Sequence, residues 1–220
     1  MALITLDLET LPDQSDGAQA RARAQMKPPP QYKKPESIEK WQSQYADEAW
    51  RKTALDYRGE IAVICWAVDD GPVSQVQRNI TGPIDEPTML AAFWLSLLES
   101  LGPEAEKRKP IFCGWNVQFD LKMLWWACVK HGIRPPFAIP HDSAPWKGDY
   151  ICLMQQWDSK KFRKLKHVCE ALGIPDDGDI DGSEVWDHIQ QGPEGLQRVV
   201  EHCRADVERV RQIYKRVNFL

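Results

Sequence analysis

Ala2-Leu3-Ile4-Thr5-Leu6-Asp7-Leu8-Glu9-Thr10 is a run of strand-forming residues that ends in two acids. Aliphatic and β-branched side chains suit a pleated, half-buried surface, so Ala2 to Leu8 is predicted to be the first strand. Residues two apart on a strand share a face. Asp7 and Glu9 therefore project side by side at the C-terminal end of a hydrophobic strand. Like charges that close repel, and the arrangement is costly unless a cation sits between them or one carboxyl takes a proton. The plain alternative is a pair of strand-end acids splayed into solvent.

Outward from that strand, residues 12–35 carry Pro12, Pro28, Pro29, Pro30 and Pro35 and read as a loop or arm without regular structure. Ser37 to Thr53 places Ile38, Trp41, Tyr45, Ala49 and Lys52 at three- and four-residue steps, the spacing of an amphipathic helix. Residues 12–58 thus look like an insertion between strands. Ile61 to Val68 is a continuous apolar run of strand length, expected to be buried. Val73 to Ile80 alternates and is expected to pair with it across Asp69-Asp70-Gly71-Pro72. A helix is predicted from Pro87 to Leu101, a short strand from Pro110 to Trp115, and a helix from Val117 to Lys130 stopped by His131-Gly132. Residues 150–220 read as mostly helical. Asp149 is expected to cap a helix over Ile151–Trp157, and the final helix runs from Pro193 to about Val217. Strands first, then helices interleaved with one more strand, indicate a single α/β domain over residues 1–220 with the insertion at about 12–58.

Composition sets limits on function. The chain has 220 residues, 43% hydrophobic and 27% charged, which supports one sizeable core and excludes a disordered or collagen-like chain. No apolar run approaches the ~18 residues of a membrane span. Met1 to Thr10 lacks a basic segment followed by an apolar core, so no signal peptide is expected. Six scattered cysteines with no C-x-x-C pair read as reduced thiols of a cytoplasmic protein, not as a disulfide frame or zinc site. No P-loop, Rossmann glycine fingerprint or nucleophile elbow occurs. The formal net charge of -4 argues at first sight against a polyanionic partner.

Two further acids change the weight of Asp7 and Glu9. Asp120 closes Trp115-Asn116-Val117-Gln118-Phe119-Asp120, which leaves a strand and opens a helix. Alone, Asn116 as N-cap and Asp120 against the helix dipole explain that segment. Asp206 lies on the last helix beside the stripe Leu196, Val199, Cys203, Val207, Val210, Tyr214 and Val217, with His202 one turn before it. Alone, those two are a His–Asp surface pair. Taken together, the acids suit hard divalent cations, which need oxygen ligands from several carboxylates. Two such ions can clamp the attacking and leaving oxygens of a phosphodiester.

Leu6-Asp7-Leu8-Glu9-Thr10, Asn116-Val117-Gln118-Phe119-Asp120, Ile180-Asp181-Gly182-Ser183 and His202-Cys203-Arg204-Ala205-Asp206-Val207-Glu208-Arg209-Val210 carry a family resemblance. The sequence resembles the DEDD superfamily of 3′–5′ exonucleases, which have the ribonuclease H-like fold. Within it, the chain looks most like phage- and bacterium-encoded exonucleases related to the proofreading domain of family B DNA polymerases. The insertion with Lys33-Lys34-Pro35-Glu36 is similar to this subfamily too. The resemblance implies a mixed sheet flanked by helices and hydrolysis of terminal phosphodiesters of DNA, or of RNA, with two divalent ions, Mg2+ or Mn2+. It implies that Asp7, Glu9 and Asp206 hold the first ion, and that Asp7 with Asp120 holds the second. Thr10 and Leu11 would then lie beside the terminal nucleotide.

One departure stands out. Such enzymes usually place a tyrosine four residues before the last Asp, or a histidine five before it. Here His202 is four before Asp206, and Glu201 is five before. A neutral imidazole near its reference pKa of ~6.5 can orient or deprotonate the attacking water, so His202 is expected in the catalytic set. The first rival reading is a nucleic-acid-binding or protein-interaction module on the same fold with weakened or lost catalysis. The second is an endonuclease or strand transferase, against which N-x-x-F-D argues.

Other constellations complete the expectations. Asp177 to Gly182 mimics the start of a calcium loop, but its twelfth position is His188 where a bidentate Glu is needed. Ser183 is expected to cap the helix holding Val185, Trp186 and Ile189. Lys160, Lys161, Arg163, Lys164 and Lys166 form either a solvated helix start or a phosphate track, with Lys161 and Lys164 as substrate-binding candidates. Lys33 and Lys34 in the insertion are candidates to add to that track. Of the ten tryptophans, Trp66, Trp94, Trp125 and Trp186 are expected in the core. Trp115, beside Asn116, and Trp146 are better placed to stack a frayed base, although core placement is the commoner use of such rings. Expected partners are nucleic-acid 3′ ends, single-stranded DNA first, and a protein docking through 12–58; no membrane partner is expected. The net charge then loses its force. Setting aside the four proposed ligands leaves a neutral remainder, and six acids cluster between Asp176 and Asp187 while bases gather at 160–166.

Overall fold

The computed structural model describes residues 1–78, 85–103, 109–144, 147–175 and 180–220. The opening run forms β1 (Ala2–Leu11), three residues longer than predicted because extended backbone continues through Glu9 and Thr10. The second apolar run forms β2 (Glu60–Val68), buried at every position after Glu60. The chain reverses at Asp69, which holds a left-handed φ of 52°, and the Gly71 N–H donates to the Val68 carbonyl at 2.9 Å. It then pairs antiparallel with β2 as β3 (Ser74–Gln77). The rest of the strand expected to reach Ile80 enters residues 79–84, outside the described residues.

Next come α3 (Glu86–Leu101), β4 (Pro110–Gly114) and α4 (Val117–His131). Asp85 caps α3 by accepting the Thr88 N–H at 3.1 Å. Gly132 ends α4 at a left-handed φ of 64°. The Glu86 carboxylate is buried and ties these elements together: it accepts the Ile61 N–H at 2.6 Å and lies 2.7 Å from His131 Nε2.

The region after α4 departs from expectation. Tyr150–Cys152 is a strand, β5, and only Leu153–Trp157 is helical, as α5. Cys113 of β4 aligns with Ile151, so pairing to β4 overrides the local helical pattern. Asp149 is therefore no helix cap; it accepts the Ser143 hydroxyl. The remaining helices are α6 (Leu165–Leu172), α7 (Val185–Ile189) and α8 (Pro193–Val217). Ser183 does not cap α7, which starts from Glu184 without a side-chain cap; the capped element is the 3₁₀ turn before it, Gly182–Glu184, and its cap is Asp181. Asp181 accepts the Ser183 N–H, and Glu184 reaches back to the Asp181 N–H in a capping box.

The sheet order is β3-β2-β1-β4-β5, with β4 parallel to both β1 and β5. Leu90, Phe93 and Leu97 of α3, Leu121 and Leu124 of α4, and Val210 and Ile213 of α8 share one buried cluster with Ile4, Leu6, Ile64, Trp66 and Phe112 of the strands. Phe93 meets Trp66 edge to face, with centroids 5.1 Å apart at 82°. All six cysteines are free and buried. Burial pushes the thiols of Cys113, Cys128, Cys152 and Cys203 up, which keeps them protonated and inert. Among the described residues no helix is long and apolar enough to cross a membrane.

The chain divides into two compact units, Met1–Glu9 with Ile61–Leu220, and Thr10–Glu60. The second unit corrects the reading of 12–35 as irregular. Ala18–Gln25 forms α1, in a proline-free stretch of Ala, Gln and Arg. Its apolar pattern is weak, so periodicity missed it while propensity would have found it. α2 (Pro35–Arg51) begins with Pro35 in the first turn, where a missing N–H costs nothing. A short 3₁₀ turn, Lys52–Leu55, follows. The unit is tied by a polar node. Thr53 Oγ1 accepts the Asp13 N–H at 2.8 Å and donates to the Trp50 carbonyl at 2.6 Å, and Trp50 Nε1 donates to the Asp13 carbonyl at 2.8 Å.

Candidate active site

β1 and β4 run in parallel register from Ala2 opposite Pro110 to Thr5 opposite Cys113. β4 ends at Gly114, so Asp7 and Glu9 project from β1 where its neighbour has already turned into α4. That turn needs glycine: a Cβ at position 114 would lie 2.8 Å from the Leu6 carbonyl oxygen and 2.9 Å from Val117 Cβ. Asn116 occupies the N-cap position with a left-handed φ of 59°, but its side chain makes no capping hydrogen bond. It supplies a backbone bend in place of the predicted side-chain cap. The bend returns Asp120 to β1, where the Leu8 N–H donates to Asp120 Oδ1 at 3.2 Å.

α8 closes the third side. The Cys203 thiol donates to the Asp7 carbonyl at 3.4 Å and fixes the helix against the strand. His202 Nε2 then lies 3.1 Å from Glu9 Oε1 and 3.8 Å from Asp206 Oδ2. This is a buried arrangement and not a surface pair, since the His202, Glu9 and Asp206 side chains are only 8%, 11% and 14% exposed. Five predicted residues, Asp7, Glu9, Asp120, His202 and Asp206, thus meet in one place from three elements distant in sequence.

The electrostatics are unbalanced at Asp7. Its Oδ2 is buried and has no hydrogen-bond partner among the described residues. Burial, followed by the charges of Asp206, Glu9 and Asp120, pushes the Asp7 carboxyl well above the usual carboxylate range; His202 opposes the shift. Burial also raises Asp120 well above that range, although backbone N–H groups including that of Leu8 favour its charged form. An orphaned carboxylate oxygen among three other acids is the donor set a hard divalent cation takes. Among the described residues no three His, Cys, Asp or Glu side chains are gathered tightly enough to hold an ion as they stand. Glu9 is turned to His202, and Asp206 is held by Arg209, whose Nη1 donates to Asp206 Oδ1 at 2.6 Å. The donors fit the cation in chemistry while two of them are engaged by the chain's own bases.

Arg209 and Cys203 are the site residues that sequence reasoning left without roles. The signal for Arg209 was its place three residues after Asp206 on a helix, the spacing of a side-chain ion pair. Nothing in the sequence marked the Cys203 thiol as a strand tether.

The remaining expected substrate contacts are of several kinds. Thr10 is half-buried and Leu11 buried, and both belong to the Thr10–Glu60 unit. Trp115 is buried and its Nε1 donates to the Arg163 carbonyl at 2.8 Å, which places it with the core aromatics and not at an open stacking face. Trp146 lies outside the described residues, as do Asp177 and Asp179 of the calcium-like loop. Residues 160–164 are not a helix start, because α6 begins at Leu165. They form a turn around Asp158, which accepts the Lys160 and Lys161 N–H groups at 3.1 and 3.2 Å. Lys161 is exposed there, and Lys164 Nζ pairs with Asp181 Oδ2 at 2.7 Å.

Residues 57–220 match the family described as "predicted 3′–5′ exonuclease related to the exonuclease domain of PolB". The chain belongs to this family. The matched residues contain Asp120, His202 and Asp206, while Asp7 and Glu9 precede them. The chain is similar, with a TM-score of 0.60 over 99% of its length and at 13% identity, to the family B DNA polymerase from the hyperthermophilic archaeon Pyrobaculum calidifontis. It spans about a quarter (24%) of that polymerase chain. The five-stranded mixed sheet flanked by helices is thus ribonuclease H-like. No curated protein matches the chain in sequence.

Proposed function

We propose that this chain is a metal-dependent 3′–5′ exonuclease that hydrolyses terminal phosphodiesters of DNA, with RNA as the competing substrate. The observation that carries the reading is Asp7 Oδ2, a buried carboxylate oxygen without a hydrogen-bond partner among the described residues, amid Glu9, Asp120 and Asp206. Four acids that raise one another's cost of ionising leave a deficit of positive charge that divalent cations would fill. Asp7, Glu9 and Asp206 are the residues for one ion, and Asp7 with Asp120 for a second. When bound, Mg2+ or Mn2+ would supply positive charge to the developing phosphorane and favour ionisation of water.

The chain's own groups do the rest. His202 Nε2, 3.1 Å from Glu9 Oε1, is the base within the site, and with Glu9 and Asp206 committed to an ion it would be the group to take a proton from the attacking water. Cys203 holds α8 to β1 so that the imidazole stays in reach. Asn116 and Gly114 fix the turn that carries Asp120. Lys161, Lys164, Thr10 and Leu11 belong to the substrate side of the reading.

The Arg209–Asp206 bond favours a second reading, a nucleic-acid-binding module in which an internal guanidinium has replaced the metal and turnover is lost. One assay separates the two: 5′-labelled DNA and RNA strands with magnesium, manganese or chelator. A ladder shortening from the 3′ end with metal, absent in Asp7→Ala, supports the exonuclease. Binding without shortening under every metal sinks it, and cuts in circular DNA redirect it to an endonuclease.

A further inference from the structure

The end of α5 and the turn after it carry two exposed rings that the carboxylate site does not use. Phe162 is 68% exposed and Trp157 41%. Around them Lys160, Lys161, Arg163, Lys164 and Lys166 all face solvent. Two of the acids there are engaged, Asp158 by Arg163 at 3.1 Å and Asp181 by Lys164 at 2.7 Å. Lys160, Lys161 and Lys166 make no ion pair among the described residues. Asp158 also fixes the turn's shape through the Lys160 and Lys161 N–H groups, so Phe162 is held outward by a defined backbone.

The place of this turn in the fold matters as much as its composition. β1, β4 and β5 are parallel, so their C-terminal ends share one edge of the sheet. Asp7 and Glu9 leave β1 there, Asn116 to Asp120 leave β4, and the Phe162 turn follows β5 through α5. The Trp115 Nε1 bond to the Arg163 carbonyl pins the turn to the residue beside Asn116. Ligands of parallel α/β sheets bind at this edge.

We propose that Phe162 with Lys160, Lys161 and Lys166 is a landing strip for single-stranded nucleic acid, in which a base stacks on the Phe162 ring and the lysines track its phosphates. The inference rests on the exonuclease reading, because it names the route by which a strand reaches the carboxylates. An exposed ring amid cations is what sequence-tolerant binding of single strands uses. A duplex keeps its bases stacked on one another and can offer this strip only phosphates, so Phe162 selects for the single strand.

The test is fluorescence anisotropy of a labelled oligo-dT and of a blunt duplex, in chelator so that no turnover intervenes. Wild type binds the single strand more tightly than the duplex. Phe162→Ala weakens single-strand binding about 5- to 150-fold, the range for one stacked base, and leaves duplex binding unchanged. Phe162→Trp restores it. Lys160→Ala with Lys161→Ala lowers the slope of log affinity against log salt by about 0.7 per lysine. Because these side chains are exposed, melting temperatures stay level. Unchanged binding by Phe162→Ala, failure of Phe162→Trp to restore it, or no single-strand binding by wild type each overturns the strip. The 3′-shortening assay is separate. Shortening by wild type with Phe162→Ala binding unchanged sinks the strip alone, and a Phe162-dependent affinity without shortening sinks the exonuclease alone.

Discussion

The two units of this chain are held by different physics. In the sheet unit, Ile4, Leu6, Ile64, Trp66, Leu90, Phe93, Phe112 and Leu121 are at most 1% exposed and belong to one continuous cluster. In Thr10–Glu60 the buried apolar side chains are Leu11, Pro12, Ala18, Ala22 and Trp50, and the directional bonds among Asp13, Trp50 and Thr53 do the tying. Arg58 adds to this by gripping Asp56 at 2.5 Å and Gln25 at 2.6 Å. A core loses stability everywhere when one member shrinks. A polar node loses it locally, because few apolar contacts carry the loss onward. The carboxylate site needs the first kind of support, since like charges held close exert a steady outward push.

The largest test of that contrast is Phe93→Ala. Phe93 is wholly buried and packs against both Trp66 and Trp94. Its truncation should cost about 3–5 kcal/mol. Urea unfolding followed by tryptophan emission should show the whole sheet unit shift together. A loss confined to α3 in hydrogen exchange would break the picture of one cooperative core.

Next in size is Asp7→Asn, where function and stability should move in opposite directions. The substitution removes a carboxylate from the site, and 3′-shortening should fall by at least about 10²–10³-fold. It also removes a carboxyl whose ionisation burial and three neighbouring acids oppose. In chelator at neutral pH the melting temperature should therefore rise by about 2–4 °C, the response to ~1 kcal/mol in a chain of this size. A fall in melting temperature would mean that Asp7 is a structural acid, and the site reading would go with it.

Thr53→Val probes the other unit. Thr53 is 1% exposed, and its hydroxyl both accepts from the Asp13 N–H and donates to the Trp50 carbonyl. Valine keeps the shape but leaves the Asp13 N–H buried without an acceptor, at about 1–3 kcal/mol. Hydrogen exchange should speed up across residues 10–60 while β2 and α4 keep their protection. Equal loosening of both units would erase the distinction drawn above.

How much of this was legible in the sequence follows the same division. Elements of the sheet unit with strong apolar patterning were readable to within a residue or two: β2, α3, α4 and α8. The convergence of Asp7, Glu9, Asp120, His202 and Asp206 was readable too, because D-x-E, N-x-x-F-D and His202–Asp206 sit at element ends or edges where an acid needs a reason. β5 was not readable. Tyr150-Ile151-Cys152 is too short to show a period, and only its pairing with β4 makes it a strand. α1 was hidden by the prolines around it, although no proline interrupts Ala18–Gln25. Arg209 was in view throughout, but nothing in the sequence says whether an arginine three residues from an acid faces water or the site.

The smallest effect tests whether the sheet unit, too, leans on polar contacts at its rim. Asp181 is pulled down to about 2, first by the hydrogen bond from Lys164 and then by the Ser183 N–H and hydroxyl. A carboxyl whose folded pKa lies below its unfolded value of ~3.9 adds stability above that value, and the gain is lost as pH falls from about 4 towards 2. Both partners are about half exposed, at 58% and 49%, so solvent screening holds the contribution below ~1 kcal/mol. Lys164→Ala should raise the Asp181 carboxyl only part of the way, because the capping bonds from Ser183 remain. A carboxyl-detected NMR titration reads that shift directly, and the acid limb of the stability curve should barely move. If Asp181 stays near 2 without Lys164, the cap alone sets it, and the lysine is then available to a phosphate. If the acid limb collapses instead, the rim carries stability that the apolar core was credited with, and the contrast between the two units weakens accordingly.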